Sequence, residues 1–295
     1  MTAMRRTALL CGFTLLLTGC GGRKAEEQTL EVVADKDGST YTCTFDGVKH
    51  GMILDMPENT QNAPLVVMLH GYGSSAEDMR TSVHFEEAAV PIGYAVAYVS
   101  GAPDPNDKSS AAGWNSEETP SGNKDRDFLV SLAEYLQREY DLDKDRIYAA
   151  GFSNGATMVH TLAMNADGTY SAFVSVSGMM QKTVWDGRKE ADDVSFFQIT
   201  GTNDTYVPQK CNGSARFSQA PAIEDVAEYR IASIAADREE SIAVNDKSVM
   251  LIHENTASHR QFRELTIKYG SHSWKYQGFD TNELILQFFE ALNNE

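Results

Sequence analysis

The pentapeptide Gly151-Phe152-Ser153-Asn154-Gly155 is the stretch of this sequence with the plainest chemical meaning. It sits between an apolar run, Ile147-Tyr148-Ala149-Ala150, and the apolar segment Asn154 to Asn165. A G-x-S-x-G on a strand-to-helix turn crowds the backbone, so only small residues fit around the serine. The same turn lifts the serine oxygen above the sheet. A helix beginning at the next residue aims free N–H groups, and the positive end of its dipole, at negative charge developing there. In that setting Ser153 reads as a nucleophile.

A serine hydroxyl is a weak nucleophile and needs a base, normally a histidine oriented by a carboxylate. Where the serine rides on a strand–turn–helix elbow, the acid and then the histidine follow it along the chain. The downstream histidines are His160, His253, His259 and His272. His160 lies on the helix after Ser153 and reads as structural; His253 and His259 read as surface or edge residues. His272, in Tyr269-Gly270-Ser271-His272-Ser273-Trp274, stands just before the last apolar helix and is the expected base. Asp204 follows the apolar run Ser195 to Thr200 in Gly201-Thr202-Asn203-Asp204, at the strand end where sites of open α/β sheets form. Asp192, Asp193 and Asp280 compete for the acid's role but lack that context. Two N–H donors for an oxyanion are expected from Asn154 and from Tyr72, in a loop shaped by His70 and Gly71.

These residues need a frame that brings distant loops together. Leu65 to His70 and Tyr94 to Val99 are continuous apolar runs, as expected of strands covered on both faces. Strands are also expected over Thr40–Val48, Gly51–Met56, Arg146–Ala150, Ser171–Ser177, Ser195–Thr200, Val249–Glu254 and Glu264–Tyr269. Apolar residues recur at helical spacing over Ala76–Ala89 (with Ser75 as N-cap), Asp125–Tyr140, Asn154–Asn165 and Glu283–Glu290. Strands alternating with helices imply a mostly parallel sheet with right-handed crossovers, an α/β fold. Residues 101–124 read as a surface loop, and residues 209–257 carry no clear pattern.

The chain of 295 residues has 42% hydrophobic and 23% charged residues, which is ordinary for a globular protein. Its formal net charge of −17 argues against a nucleic acid partner, because binding a polyanion needs clustered Lys and Arg. Arg5 and Arg6 precede a short apolar run that ends in Leu17-Thr18-Gly19-Cys20. A basic start followed by a short apolar stretch is an export signal, and Leu-Thr-Gly-Cys resembles the lipobox of bacterial lipoproteins. That resemblance implies residues 1–19 as a cleaved signal and lipid on Cys20 as a membrane anchor, with a polar tether over 20–39 leading to the α/β catalytic domain expected over 40–295. Loss of residues 1–19 removes two arginines and no acid, taking the net charge from −17 to −19. In an oxidising compartment Cys43 and Cys211 are expected to pair. No cysteine pair has zinc-ligand spacing, and the chemistry above requires neither metal nor organic cofactor.

Taken together, His70-Gly71-Tyr72-Gly73, Gly113-Trp114-Asn115, Gly151-Phe152-Ser153-Asn154-Gly155-Ala156, Gly201-Thr202-Asn203-Asp204 through Val207-Pro208, and Gly270-Ser271-His272-Ser273-Trp274 resemble the polyhydroxybutyrate depolymerase and feruloyl esterase group of α/β-hydrolases. The resemblance runs over roughly residues 40–293. It implies a Ser153–His272–Asp204 triad, ester hydrolysis through an acyl-enzyme, and Trp114 and Trp274 flanking the substrate cleft. Feruloyl or acetyl esters of polysaccharides are the expected substrates. Short-chain polyhydroxyalkanoate hydrolysis, peptidase activity and non-catalytic glycan binding are the alternatives.

Overall fold

The computed structural model describes residues 13–14, 28–35, 38–103, 109–119, 122–165, 168–189, 193–207 and 220–293. Cys20, Asp192, Cys211 and nearly all of the expected signal therefore lie outside the described residues.

Eleven of the described strands, with the two-residue segment Phe13–Thr14, form one sheet. Three antiparallel strands open it: β1 (Thr29–Ala34), β2 (Thr40–Phe45) and β3 (Val48–Asp55). β1 lies inside the expected tether. β2 and β3 are joined across Asp46–Gly47, both in the left-handed region (φ 47 and 81), so Phe45 pairs directly with Val48. Such a two-residue turn matches strand twist, which is why β3 starts three residues before the expected Gly51.

The parallel centre holds β4 (Leu65–Leu69), β5 (Ala95–Val99), β6 (Ile147–Phe152), β7 (Ala172–Val176), β8 (Ser195–Gly201) and β11 (Gln261–Ile267). The order across the sheet continues from β3, antiparallel to β5, as β3-β5-β4-β6-β7-β8-β11, followed by the antiparallel β10 (Ser248–Glu254) and β9 (Arg238–Asn245). β9 lies in the stretch without a legible pattern.

The side-chain period of two decides what covers the sheet. Leu65, Val67 and Leu69 of β4 point into one core with Phe128, Leu132 and Leu136 of α3 (Lys124–Tyr140) and Met158 and Leu162 of α4 (Asn154–Asn165). Val66 and Met68 point into the opposite core with Phe85, Phe288 and Phe289. Phe288 and Phe289 belong to the terminal helix, Thr281–Ala291. Burial on both faces is what the unbroken apolar runs of the central strands required.

One expectation is corrected here. The helix expected over Ala76–Ala89 is two helices, α1 (Ala76–Val83) and α2 (Phe85–Ala89), broken at His84 with φ 53. The buried Tyr98 hydroxyl causes the break: it accepts from the N–H groups of Phe85 (3.0 Å) and Glu86 (3.3 Å) and donates to the Glu86 carboxylate (2.7 Å). Ser75 does cap α1, accepting from the Asp78 N–H at 3.1 Å. Cys43, whose expected partner Cys211 lies outside the described residues, is a free thiol at 0% exposure in the core. Burial pushes its thiol up to about 12, so the reactive thiolate is strongly disfavoured.

Candidate active site

The site stands at the C-terminal ends of the parallel strands, in a cleft of about 930 Å³ lined by Ser153, His272, Tyr72, Asn154, Tyr206 and neighbouring residues. Its centre is the elbow between β6 and α4. Ser153 takes φ 54, a left-handed conformation rare for a residue with a side chain. The elbow is built by close backbone approach. A Cβ on Gly155 would lie 2.2 Å from the Leu69 carbonyl oxygen, and one on Gly151 would lie 2.5 Å from the Gly155 backbone. Glycine is therefore required on both sides of the serine.

Ser153, His272 and Asp204 meet in one hydrogen-bonded line. His272 Nε2 lies 2.8 Å from Ser153 Oγ, and Nδ1 lies 2.8 Å from Asp204 Oδ2. The other carboxylate oxygen of Asp204 accepts from the backbone N–H groups of Tyr206 (2.8 Å) and Val207 (3.0 Å). Burial pushes this carboxyl up. The bond to His272 and the two backbone donors outweigh that effect and hold it below the usual carboxylate range. Asp204 thus stays ionised, which fixes the proton on Nδ1 and leaves Nε2 free to accept from the serine.

The rival groups have other occupations. His160 is fully buried against Phe196 (4.8 Å between ring centroids), and burial drives it down to about 3. His253 is buried on β10, next to the edge strand of the sheet, with its Nδ1 3.5 Å from Glu239. His259 is exposed, and neither residue lines the cleft. Asp193 faces Arg260 at 3.6 Å, and Asp280 caps the terminal helix through the Asn282 N–H at 2.8 Å.

His70 shapes the Tyr72 loop, as expected. Its Nε2 accepts from the Gly101 N–H (2.9 Å), so the neutral ring donates from Nδ1 to the Gly71 carbonyl (2.7 Å). Burial lowers its basicity and keeps it neutral. Asn154 is the first residue of α4, so its N–H has no acceptor within the helix. Its side chain bonds both ways to the Trp114 backbone, accepting from N–H at 2.7 Å and donating to C=O at 3.0 Å. Tyr72 stands at the mouth, 57% exposed, with its hydroxyl 2.8 Å from Ser109 Oγ.

Trp114 does not flank the cleft. It is 4% exposed within the core, and its indole N–H donates to the His70 carbonyl at 3.1 Å. Trp274 is also buried but does form part of the cleft wall, its indole N–H donating to Asn282 at 2.9 Å. Sequence reasoning missed the rings around His272: Phe152 and Tyr206 lie 5.0 and 4.8 Å from it, centroid to centroid. Their adjacency to Ser153 and to the Asp204 turn was the available signal.

Among the described residues, one three-ligand group, His84, Glu86 and Glu87, has its ligand atoms within 4.8 Å of one another. Glu86 is already bound to Tyr98 and Arg80, and the group does not line the cleft. No described helix is long and apolar enough to cross a membrane.

A mostly parallel sheet covered on both faces, with a serine elbow and a Ser–His–Asp line at its strand ends, defines an α/β-hydrolase. Residues 50–193, a segment that contains Ser153, match the family described as Esterase PHB depolymerase. Asp204 and His272 lie beyond the matched segment.

The chain is 27% identical over 143 residues to a bifunctional acetylxylan esterase/xylanase, XynS20E, of Neocallimastix patriciarum. That match covers 48% of this chain and 19% of the relative. It is 31% identical over 129 residues to the putative esterase NocK of Nocardia uniformis subsp. tsuyamanensis, covering 42% and 35%. It is 29% identical over 131 residues to feruloyl esterase B of Talaromyces stipitatus, covering 43% and 36%. The chain thus spans well under half the length of each of these relatives.

Among solved structures, an acetyl xylan esterase from Aspergillus awamori superposes with a TM-score of 0.62 at 14% identity, covering 89% of this chain and 99% of that one. The Bacillus cereus carboxylesterase gives a TM-score of 0.54 at 15% identity, covering 83% and 95%. At such identities these likenesses speak for the fold.

Proposed function

We propose that this chain is a serine carboxylic ester hydrolase that works through an acyl-enzyme, with acetyl or feruloyl esters of a xylan-type polysaccharide as substrates. The observation that carries the reading is the 2.8 Å contact of His272 Nε2 with Ser153 Oγ, backed by the 2.8 Å contact of Nδ1 with Asp204. Similarity to acetylxylan and feruloyl esterases supports the substrate class.

In the proposed reaction Ser153 Oγ attacks the ester carbonyl while Nε2 takes its proton. Asp204 holds the resulting imidazolium in place. The backbone N–H groups of Asn154 and Tyr72 receive the oxyanion, aided by the N-terminus of α4. His272 then protonates the departing alcohol, leaving the acyl group on Ser153. A water molecule, deprotonated by the same nitrogen, attacks that acyl group and releases the acid.

The test is hydrolysis of p-nitrophenyl acetate, methyl ferulate and acetylated xylan by the full chain, with Ser153→Ala as control. Loss of a triad nucleophile costs on the order of a million-fold in kcat, so the control should fall to background. A folded wild type that cleaves none of the three, and resists a fluorophosphonate probe, would refute the assignment in favour of a non-catalytic glycan binder. Export and anchoring through lipid on Cys20 belong to the same proposal. A Cys20→Ala chain should no longer take up labelled fatty acid or partition with membranes, and continued labelling would overturn that part.

A further inference from the structure

His272 does not stand free in its cleft. Its side chain is 19% exposed, held at Nδ1 by Asp204, and two aromatic rings pack against the imidazole. Phe152 lies 5.0 Å from it at an interplanar angle of 43° and belongs to the elbow itself. Tyr206 lies 4.8 Å away at 47° and belongs to the turn that carries Asp204. The backbone N–H of Tyr206 also supports the Asp204 carboxylate at 2.8 Å.

The ring of Tyr206 is unusual in being 51% exposed while touching the base. An aromatic side chain left that far in water contributes little to the core. Its contact is with a group whose charge changes during the reaction. The face of an aromatic ring carries negative potential, so it attracts a cation held within about 6 Å of its centroid. The neutral imidazole gains little from this. The imidazolium, which forms only while Ser153 gives up its proton, gains more.

We propose that Tyr206 is a positioning residue for His272, holding the imidazole in line with Ser153 and stabilising its protonated form in the transition state. The proposal rests on the esterase reading given above. An interaction made only in the transition state lowers kcat when removed and leaves substrate binding alone. That separates this role from contact with substrate, which the position of Tyr206 on the cleft wall would also permit. It requires the ring and not the hydroxyl.

The experiment compares wild type, Tyr206→Leu and Tyr206→Phe on p-nitrophenyl acetate and p-nitrophenyl butyrate, and times the labelling of Ser153 by a small fluorophosphonate. The leucine variant should lose about fivefold to tenfold in kcat on both esters, with KM changed less than about twofold. Labelling should slow by the same factor, and the phenylalanine variant should stay within about twofold of wild type. The proposal is overturned if the leucine variant turns over and labels like wild type. It is also overturned if the loss appears in KM and differs between the two esters, or if phenylalanine falls as far as leucine. A wild type that cleaves neither ester and takes no label removes the esterase reading as well. An active wild type beside an equally active leucine variant removes only the role of Tyr206.

Discussion

Replacing Asp204 by asparagine should disable the base while leaving the fold standing, and the hydrogen bonds dictate how. Oδ1 of Asp204 accepts from two backbone N–H groups, at 2.8 Å from Tyr206 and 3.0 Å from Val207. An asparagine must keep its carbonyl oxygen there, because an amide nitrogen would face two donors. Its NH2 then takes the place of Oδ2, 2.8 Å from His272 Nδ1. An NH2 group can only donate, so Nδ1 must give up its proton and accept. The proton moves to Nε2, which now points a donor at Ser153 Oγ where an acceptor is needed. Catalysis with this tautomer is expected to fall on the order of ten-thousand-fold, about 5.4 kcal/mol at 1.36 kcal/mol per decade. The assay is kcat on p-nitrophenyl acetate for Asp204→Asn beside Ser153→Ala, with a thermal melt of each. An asparagine variant that keeps more than a tenth of wild-type kcat would refute the tautomer argument.

Three further outcomes are expected. Gly155→Ala places a Cβ 2.2 Å from the Leu69 carbonyl oxygen and 2.6 Å from that of His70, so the elbow must shift. Denaturant unfolding should register a loss of about 2–4 kcal/mol, and wild-type stability would contradict the packing described here. Trp114→Phe removes the bond to the His70 carbonyl and should cost about 1–2 kcal/mol while KM stays within about twofold; a large rise in KM would return Trp114 to the cleft. Asp204 is held below its unfolded value, so its contribution to stability is present above about pH 4 and is lost as pH falls through the folded value. Asp204→Asn should therefore lose less stability than wild type between about pH 5 and pH 2, and parallel pH–stability curves for the two proteins would count against it.

The legible parts of this fold were those where a local pattern has one packing solution. Helix α4 runs over Asn154–Asn165 as its composition implies, because a strand, two glycines and an apolar helix leave the elbow little freedom. The central strands were readable because burial on both faces leaves an unbroken apolar run. The antiparallel edge strand β9 reads Arg-Glu-Glu-Ser-Ile-Ala-Val-Asn and was invisible, since an edge strand keeps polar residues outward. The break at His84 depends on a hydroxyl contributed by Tyr98, on strand β5, and the helical pattern around residue 84 does not reveal it. Trp114 was misread for a related reason. In a Gly- and Asn-rich loop it resembles a surface aromatic, yet a single carbonyl, that of His70, gives its N–H a buried partner. Ser153, Asp204 and His272 were each readable because each sits in a short turn after a strand. Their meeting in space follows from the parallel sheet, which brings those strand ends to the same side.

The distances along the chain within that hydrogen-bonded line also order events in time. Ser153 and His272 are separated by 119 residues and Asp204 and His272 by 68, so no fragment ending before β11 and its following loop can contain the base. Closing contacts of such separation carries a larger loop-closure entropy than closing local ones. On the proposed triad, hydrolytic competence should require the chain through His272 and should not grow by degrees with chain length. A chain truncated before His272 should therefore be chemically silent, and turnover should report the completed sheet.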